Sequence, residues 1–149
     1  MEKKKIIVTS GFFNPLHIGH MNLFREAKKL GDYLVVIVNN DAQVKLKGRV
    51  PFMVEKERVE IIRDIKPVDE IFLSIDKERE KDGVPIAKSL EYIAKKYSGH
   101  ELFFAKGGDR NSNNIPKAEK EICERFNIKI INGVGGKKIQ SSSHLLNNV

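Results

Sequence analysis

The stretch Lys5-Ile6-Ile7-Val8-Thr9-Ser10-Gly11-Phe12-Phe13-Asn14-Pro15-Leu16-His17-Ile18-Gly19-His20 decides the fold. Its first six residues form an apolar, β-branched run that predicts a strand. From Ile18 onward, Met21, Phe24, Ala27 and Leu30 recur every third residue, which predicts a helix over 18–30. Strand gives way to helix between them, the kind of turn at which an α/β protein binds phosphate. A helix start offers unpaired backbone N–H groups and the positive end of the macrodipole. Gly11 and Gly19 let a phosphate approach the backbone. His17 and His20, three residues apart, share one helical face and can donate two hydrogen bonds to one phosphate group. A zinc site is the rival chemistry for such a pair. It lacks a third ligand nearby and the glutamate base of an HExxH helix, so we expect no protein metal site.

Outward from this turn, strand-like and helix-like segments alternate. Strands are expected at 5–10, 33–39, 70–73, 101–105 and 128–131, apolar nearly throughout, as in a sheet covered on both faces. Between them lie amphipathic runs. Val59 with Ile62, and Ile61 with Ile65, mark a helix from about Val54. Ile86, Leu90, Ile93, Ala94 and Tyr97 trace another stripe. Ala118, Ile122 and Phe126 recur at four, with Pro116 suited to the first helical turn. The pattern predicts a Rossmann-like, doubly wound, five-stranded parallel α/β sheet with helices on both faces. The polar segments 41–51, 75–84, 106–115 and 132–140 read as loops. Ligands in such sheets bind beyond the carboxyl ends of the strands, so motifs in these loops should converge.

Composition narrows the class. A chain of 149 residues is expected to form a single domain with its own core. It has no apolar run long enough to span a membrane and no recognisable signal segment, which implies a cytoplasmic protein. The lone cysteine, Cys123, excludes an internal disulfide and reads as buried filler beside Ile122 and Phe126. Lysines and arginines exceed acidic residues by enough to give a net charge of +7. They are scattered on helices that also carry glutamates, as in Glu119-Lys120-Glu121, with no aromatic-interleaved stripe. A basic field around a polyphosphate pocket explains the excess, and nucleic acid is not expected as a partner.

Three loops carry candidate chemistry. Lys45 and Lys47, with Arg49, lie in a Gly-containing loop that can close over a triphosphate. Lys106-Gly107-Gly108-Asp109 follows the fourth expected strand. Its glycines open the backbone to a base edge, and Asp109 can accept from an exocyclic amine. Ser141, Ser142 and Ser143 precede Leu145-Leu146 and read as a helix cap whose hydroxyls and N–H groups suit phosphate.

GFFNPLHIGH resembles the HxGH signature of the nucleotidyltransferase superfamily, the cytidylyltransferase-like enzymes. The stretch from Leu30 to Ile71 is similar to two small families, the glycerol-3-phosphate or phosphoethanolamine cytidylyltransferases and the heptose-phosphate adenylyltransferases. "KGGD" at Lys106 is similar to the latter. Archaeal FAD synthetases also look similar through the first half. The resemblance implies transfer of a nucleoside monophosphate from ATP or CTP to a sugar phosphate or polyol phosphate, with release of pyrophosphate. It implies His17, His20, Lys47 and Lys45 as catalytic residues. Gly11, Phe12, Phe13, Asn14, Gly19, Gly107, Gly108, Asp109, Ser141, Ser142 and Ser143 are then nucleotide contacts, and Asp41 and Arg58 face the acceptor. The implied cofactor is Mg²⁺, held mainly by phosphate oxygens and water. Small relatives tend to be homodimers, although no interface stripe is visible in this sequence. Three features depart from the pattern: Phe12 replaces a hydroxyl residue, Asn14 replaces the usual aspartate, and Gly135-Gly136-Lys137-Lys138 replaces an Arg-Thr pair. Phe12 and Asn14 keep open a second reading, a non-catalytic nucleotide-binding or regulatory domain.

Overall fold

The apolar runs become five parallel strands: β1 (Lys5–Gly11), β2 (Tyr33–Val38), β3 (Glu70–Leu73), β4 (Glu101–Gly107) and β5 (Lys129–Val134), in the order β3-β2-β1-β4-β5. The computed structural model describes residues 2–108, 115–136 and 145–146. The helices are α1 (Ile18–Lys29), α2 (Asp41–Leu46), α3 (Glu55–Arg63), α4 (Ala87–Lys96) and α5 (Lys117–Arg125). Among the described residues, no helix is long and apolar enough to cross a membrane.

Successive strand residues point to opposite faces, and both faces are covered. Ile6, Val8, Val35, Ile37, Leu102 and Phe104 pack with Leu90 and Ile93 of α4 and with Ile122 and Cys123 of α5. Ile7, Leu34, Val36 and Val38 pack on the other side with Leu23, Phe24 and Ala27 of α1 and Ile62 of α3. This double covering explains why β2 reads as an unbroken apolar run: Leu34, Val35, Val36, Ile37 and Val38 have no exposed surface.

Three expected boundaries differ from the structure. Segment 41–51, expected as a loop, begins with α2. Asn40 and Gln43 form a reciprocal capping box, with Gln43 N donating to Asn40 Oδ1 at 2.8 Å and Asn40 N donating to Gln43 Oε1 at 3.0 Å. β4 and β5 both run further than expected, because Gly107 pairs with Val134 beyond a bulge after Ala105. Helix α4 has no cap of its own at Ile86. Asp76, ten residues back on the chain, accepts instead from Lys88 N at 2.8 Å and Ser89 N at 2.9 Å.

The sheet also sets where a ligand can enter. β1 stays in register with β2 up to Gly11 and Val38, but its pairing with β4 ends at Val8 and Phe104. Past that point β4 follows β5 instead. The Thr9 hydroxyl donates to Ala105 O at 2.9 Å across the base of the split. A cleft therefore opens at the carboxyl edge where the winding direction reverses.

Gly31, between α1 and β2, has no room for a side chain. A Cβ there would lie 2.7 Å from Lys5 O and 2.8 Å from Ile7 Cγ1. Gly31→Ala is expected to cost about 1–3 kcal/mol of unfolding free energy in urea titration. An unchanged midpoint would show that this turn yields without strain.

Candidate active site

The turn after β1 is shaped by Phe13. Its backbone is left-handed at φ 51°, and its buried ring meets His20 edge-on at 4.9 Å and Phe24 at 5.4 Å between centroids. The ring also lies over Gly11, where a Cβ would come within 2.8 Å of it. Gly11 is therefore required by Phe13 packing as well as by its place in the cleft wall. The Asn14–Pro15 peptide is cis. The Asn14 side chain is buried and turned to the protein. Its amide donates to Val50 O at 3.1 Å, while its oxygen accepts from Phe52 N at 2.5 Å and Met53 N at 3.4 Å. It ties down the loop before α3, where an aspartate could accept but not donate.

His17 and His20 meet at the start of α1 as a reciprocal cap. His17 Nδ1 accepts from Gly19 N, and His20 Nδ1 accepts from His17 N, each at 3.1 Å. The rings stack with centroids 3.7 Å apart. Because backbone N–H groups point at both Nδ1 atoms, the proton of each neutral ring sits on Nε2. The fold thus fixes the tautomer in which the far nitrogen of each ring is a donor. Gly19 enters through its backbone amide in this network.

Arg58 lies inside the protein. Its side chain has no exposed surface and is paired with Asp41. Nε donates to Met53 O at 3.0 Å, Nη1 to Phe12 O at 2.7 Å and Asn39 O at 2.6 Å, and Nη2 to Asp41 Oδ1 at 2.6 Å. One guanidinium therefore joins the β1 turn, the end of β2, the start of α2 and the loop before α3. Asp41, its carboxylate partner, keeps a quarter of its side chain exposed.

The cleft measures about 370 Å³ and brings Ser10, Gly11 and Phe12 to one side with Lys47, while Lys106 and Gly107 come from β4. Lys47 Nζ stands 4.4 Å above the Phe12 ring. The aromatic residue that replaces the expected hydroxyl thus holds a cation by its π face. Lys45 is exposed on the last turn of α2, and neither it nor the two histidines line the cleft. Gly108 follows β4 at φ 33°, its amide donating to Val134 O at 3.4 Å. Asp109, Ser141, Ser142 and Ser143 lie outside the described residues, as do Lys137 and Lys138.

Several cleft residues escaped the sequence reading. Lys106, a member of the KGGD motif, is buried with its ammonium 3.7 Å from Glu119 Oε1 and 4.3 Å from the Phe104 ring centroid. Glu119, in the mixed-charge stretch Glu119-Lys120-Glu121, is 3% exposed, and its Oε2 accepts from Ile86 N at 3.1 Å. The apolar positions beside it, Ile115, Ile122 and Cys123, were the available signal that this face of α5 turns inward. Burial, and the Glu119 charge after it, push the Cys123 thiol up to about 12, so it is no nucleophile near neutral pH. Arg79 and Asp82 reach the cleft from the segment after β3. Among the described residues, no three histidine, cysteine, aspartate or glutamate side chains cluster as a metal site.

The chain is similar to several known proteins. The family model described as cytidylyltransferase-like matches residues 8–143. An FAD synthase of Ferroglobus placidus is 42% identical over 97 residues, which is 64% of this chain and 61% of that protein. An FAD synthase of Thermoplasma acidophilum is 36% identical over 84 residues, covering 56% and 59%. The chain spans about half to three-fifths of the length of the FAD synthases it matches. The bifunctional protein HldE of Desulfatibacillum aliphaticivorans is 37% identical over 142 residues, 89% of this chain but 28% of that protein. Among solved structures, the lipopolysaccharide core biosynthesis protein of Thermoplasma volcanium superposes with a TM-score of 0.63 at 27% identity, covering 87% of this chain and 95% of that one.

Glu119→Ala is expected to destabilise the fold by about 3 kcal/mol or more, since it removes the carboxylate of a buried ion pair and takes the acceptor from the Ile86 N–H. Glu119→Gln, which keeps an acceptor for Ile86, should lose less. Urea denaturation of both variants checks this; a loss below about 1 kcal/mol for Glu119→Ala would show that water reaches the pair.

Proposed function

Since the chain belongs to the cytidylyltransferase-like family, we propose that it is a nucleotidyltransferase moving a nucleoside monophosphate from a triphosphate to a phosphorylated small molecule. The observation that carries this reading is the double histidine cap at the start of α1. It presents two Nε2–H donors of fixed tautomer beside a helix N-terminus, a set matched to phosphate oxygens.

In the proposed reaction an oxygen of the acceptor phosphate attacks the α-phosphorus in line. The new P–O bond forms as the bond to the bridging oxygen breaks, and pyrophosphate leaves with that electron pair. No covalent enzyme intermediate is required, so catalysis rests on positioning and on neutralising charge. His17 and His20 donate to the α-phosphate oxygens as charge builds on them. Lys47, held over Phe12, and Lys45 hold the β- and γ-phosphates, with Ser141, Ser142 and Ser143 as further proposed contacts. Gly107, Gly108 and Asp109 take the base end. Asp41 faces the acceptor, and Arg58 sets its position from inside the protein. Mg²⁺ is the proposed cofactor; it would be held through the phosphates of the bound nucleotide and would supply charge neutralisation beside Lys47 and Lys45.

ATP is the donor we favour. FAD contains an adenylyl group, and FAD synthases are among the similar proteins. Flavin mononucleotide and sugar phosphates are the first acceptors to test, with CTP and polyol phosphates as the competing pair. The non-catalytic reading loses the two features that suggested it, because Phe12 seats Lys47 and Asn14 braces a loop.

His17→Asn retains a capping oxygen but no imidazole donor. It should melt within a few degrees of the wild type while kcat falls roughly a hundredfold or more. Pyrophosphate release with ATP or CTP, Mg²⁺ and each acceptor measures this. Undiminished turnover in both His17→Asn and His20→Asn would sink the mechanism, and absence of pyrophosphate release from wild type with every pair would restore the regulatory reading.

A further inference from the structure

The segment between β3 and α4 forms a strap along the cleft, and it is fixed at several points. Asp76 accepts from the first amides of α4. Glu80 and Gly83 exchange backbone hydrogen bonds at 2.8 and 3.2 Å. Asp82 Oδ2 accepts from Lys117 N, the first residue of α5, at 2.6 Å. Between these ties stands Arg79. Its Nη1 donates to Leu46 O at 2.6 Å, which holds the guanidinium against the peptide that leads into Lys47.

We propose that Arg79 binds a phosphate group of the substrates at the rim of the cleft, as the second cation of a pair with Lys47. The inference rests on the nucleotidyltransferase reading. Both residues line the cleft. Lys47 is held there by the Phe12 ring and Arg79 by the end of α2, so two positive charges reach one rim from separate elements. One N–H of the Arg79 fork is spent on Leu46, and the fork has five. Among the described residues no carboxylate lies within ion-pair distance of Arg79. Asp82 lines the same cleft, but one of its oxygens serves α5. A planar guanidinium braced on one edge and charged on the other suits a phosphate, which takes paired N–H donors.

Two phosphates could occupy this rim: the pyrophosphate half of the donor, or the phosphate of the acceptor. Titration calorimetry with inorganic pyrophosphate, ATP and flavin mononucleotide distinguishes them in the full chain. Arg79→Gln is the informative variant, since its amide can still donate to Leu46 O while the charge is gone. Arg79→Gln should weaken pyrophosphate and ATP binding roughly ten- to hundredfold if the donor's phosphates sit there, or flavin mononucleotide binding alone if the acceptor's does. Lys77→Ala, an exposed cation on the same strap, should change neither. Equal affinities in wild type and Arg79→Gln for all three ligands would overturn the proposal. So would a Lys77→Ala loss as large as that of Arg79→Gln, which would mean a diffuse field. A wild type that binds pyrophosphate through Arg79 but no nucleotide would keep the anion site and overturn the nucleotidyl-transfer reading. A wild type that binds none of the three would overturn both.

Discussion

The parting of β1 from β4 is the constraint on which the remaining features depend. A parallel sheet satisfies its backbone through its neighbours, so a strand that loses one neighbour must find other partners or leave polar groups to a ligand and to water. Beyond Val8, β1 keeps only β2. The split is bridged once, by Thr9 and Ala105, and then left open. The turn after β1, the KGG end of β4 and the starts of α4 and α5 all border that opening. The cleft opens there because the winding order reverses at that point and no strand fills the gap.

Much of this was legible because it depends on local pattern. The apolar runs of β1 and β2, the stripe from Ile86 to Tyr97, and the strand-to-helix turn ending in His17 and His20 each state their own structure. Helix α2 was also legible in principle: Asn40-Asp41-Ala42-Gln43 has the spacing of a capping box, but its polar composition reads as loop. What stayed hidden depends on residues far apart in the chain. Asp76 caps a helix it does not belong to, and Glu119 serves Ile86 from another helix. Arg58 looks like an ordinary charge on the exposed face of α3. Nothing near it in sequence reveals that four segments meet around its guanidinium.

The charges divide into buried pairs and exposed cations. Arg58 with Asp41, and Lys106 with Glu119, are buried pairs, whose removal by halves costs more than their presence gains. Lys47 and Arg79 are exposed, and each makes a contact that places it, a ring face for one and a carbonyl for the other. The excess of basic residues thus has a local meaning at the cleft that the overall charge alone does not convey.

Arg58 also bears on how the protein opens. Phe12, Asn39, Asp41 and Met53 share one buried donor, so none of their segments can detach without stranding the same charge. Loops beside ligand sites usually fray at little cost and exchange their amide hydrogens early. Here the turn after β1, the start of α2 and the loop before α3 should exchange together, as one cooperative unit with the sheet. The architecture thus places a buried junction with four partners beside the cleft, and Asn14 holds the backbone of the otherwise exposed Val50 and Phe52 to the same unit.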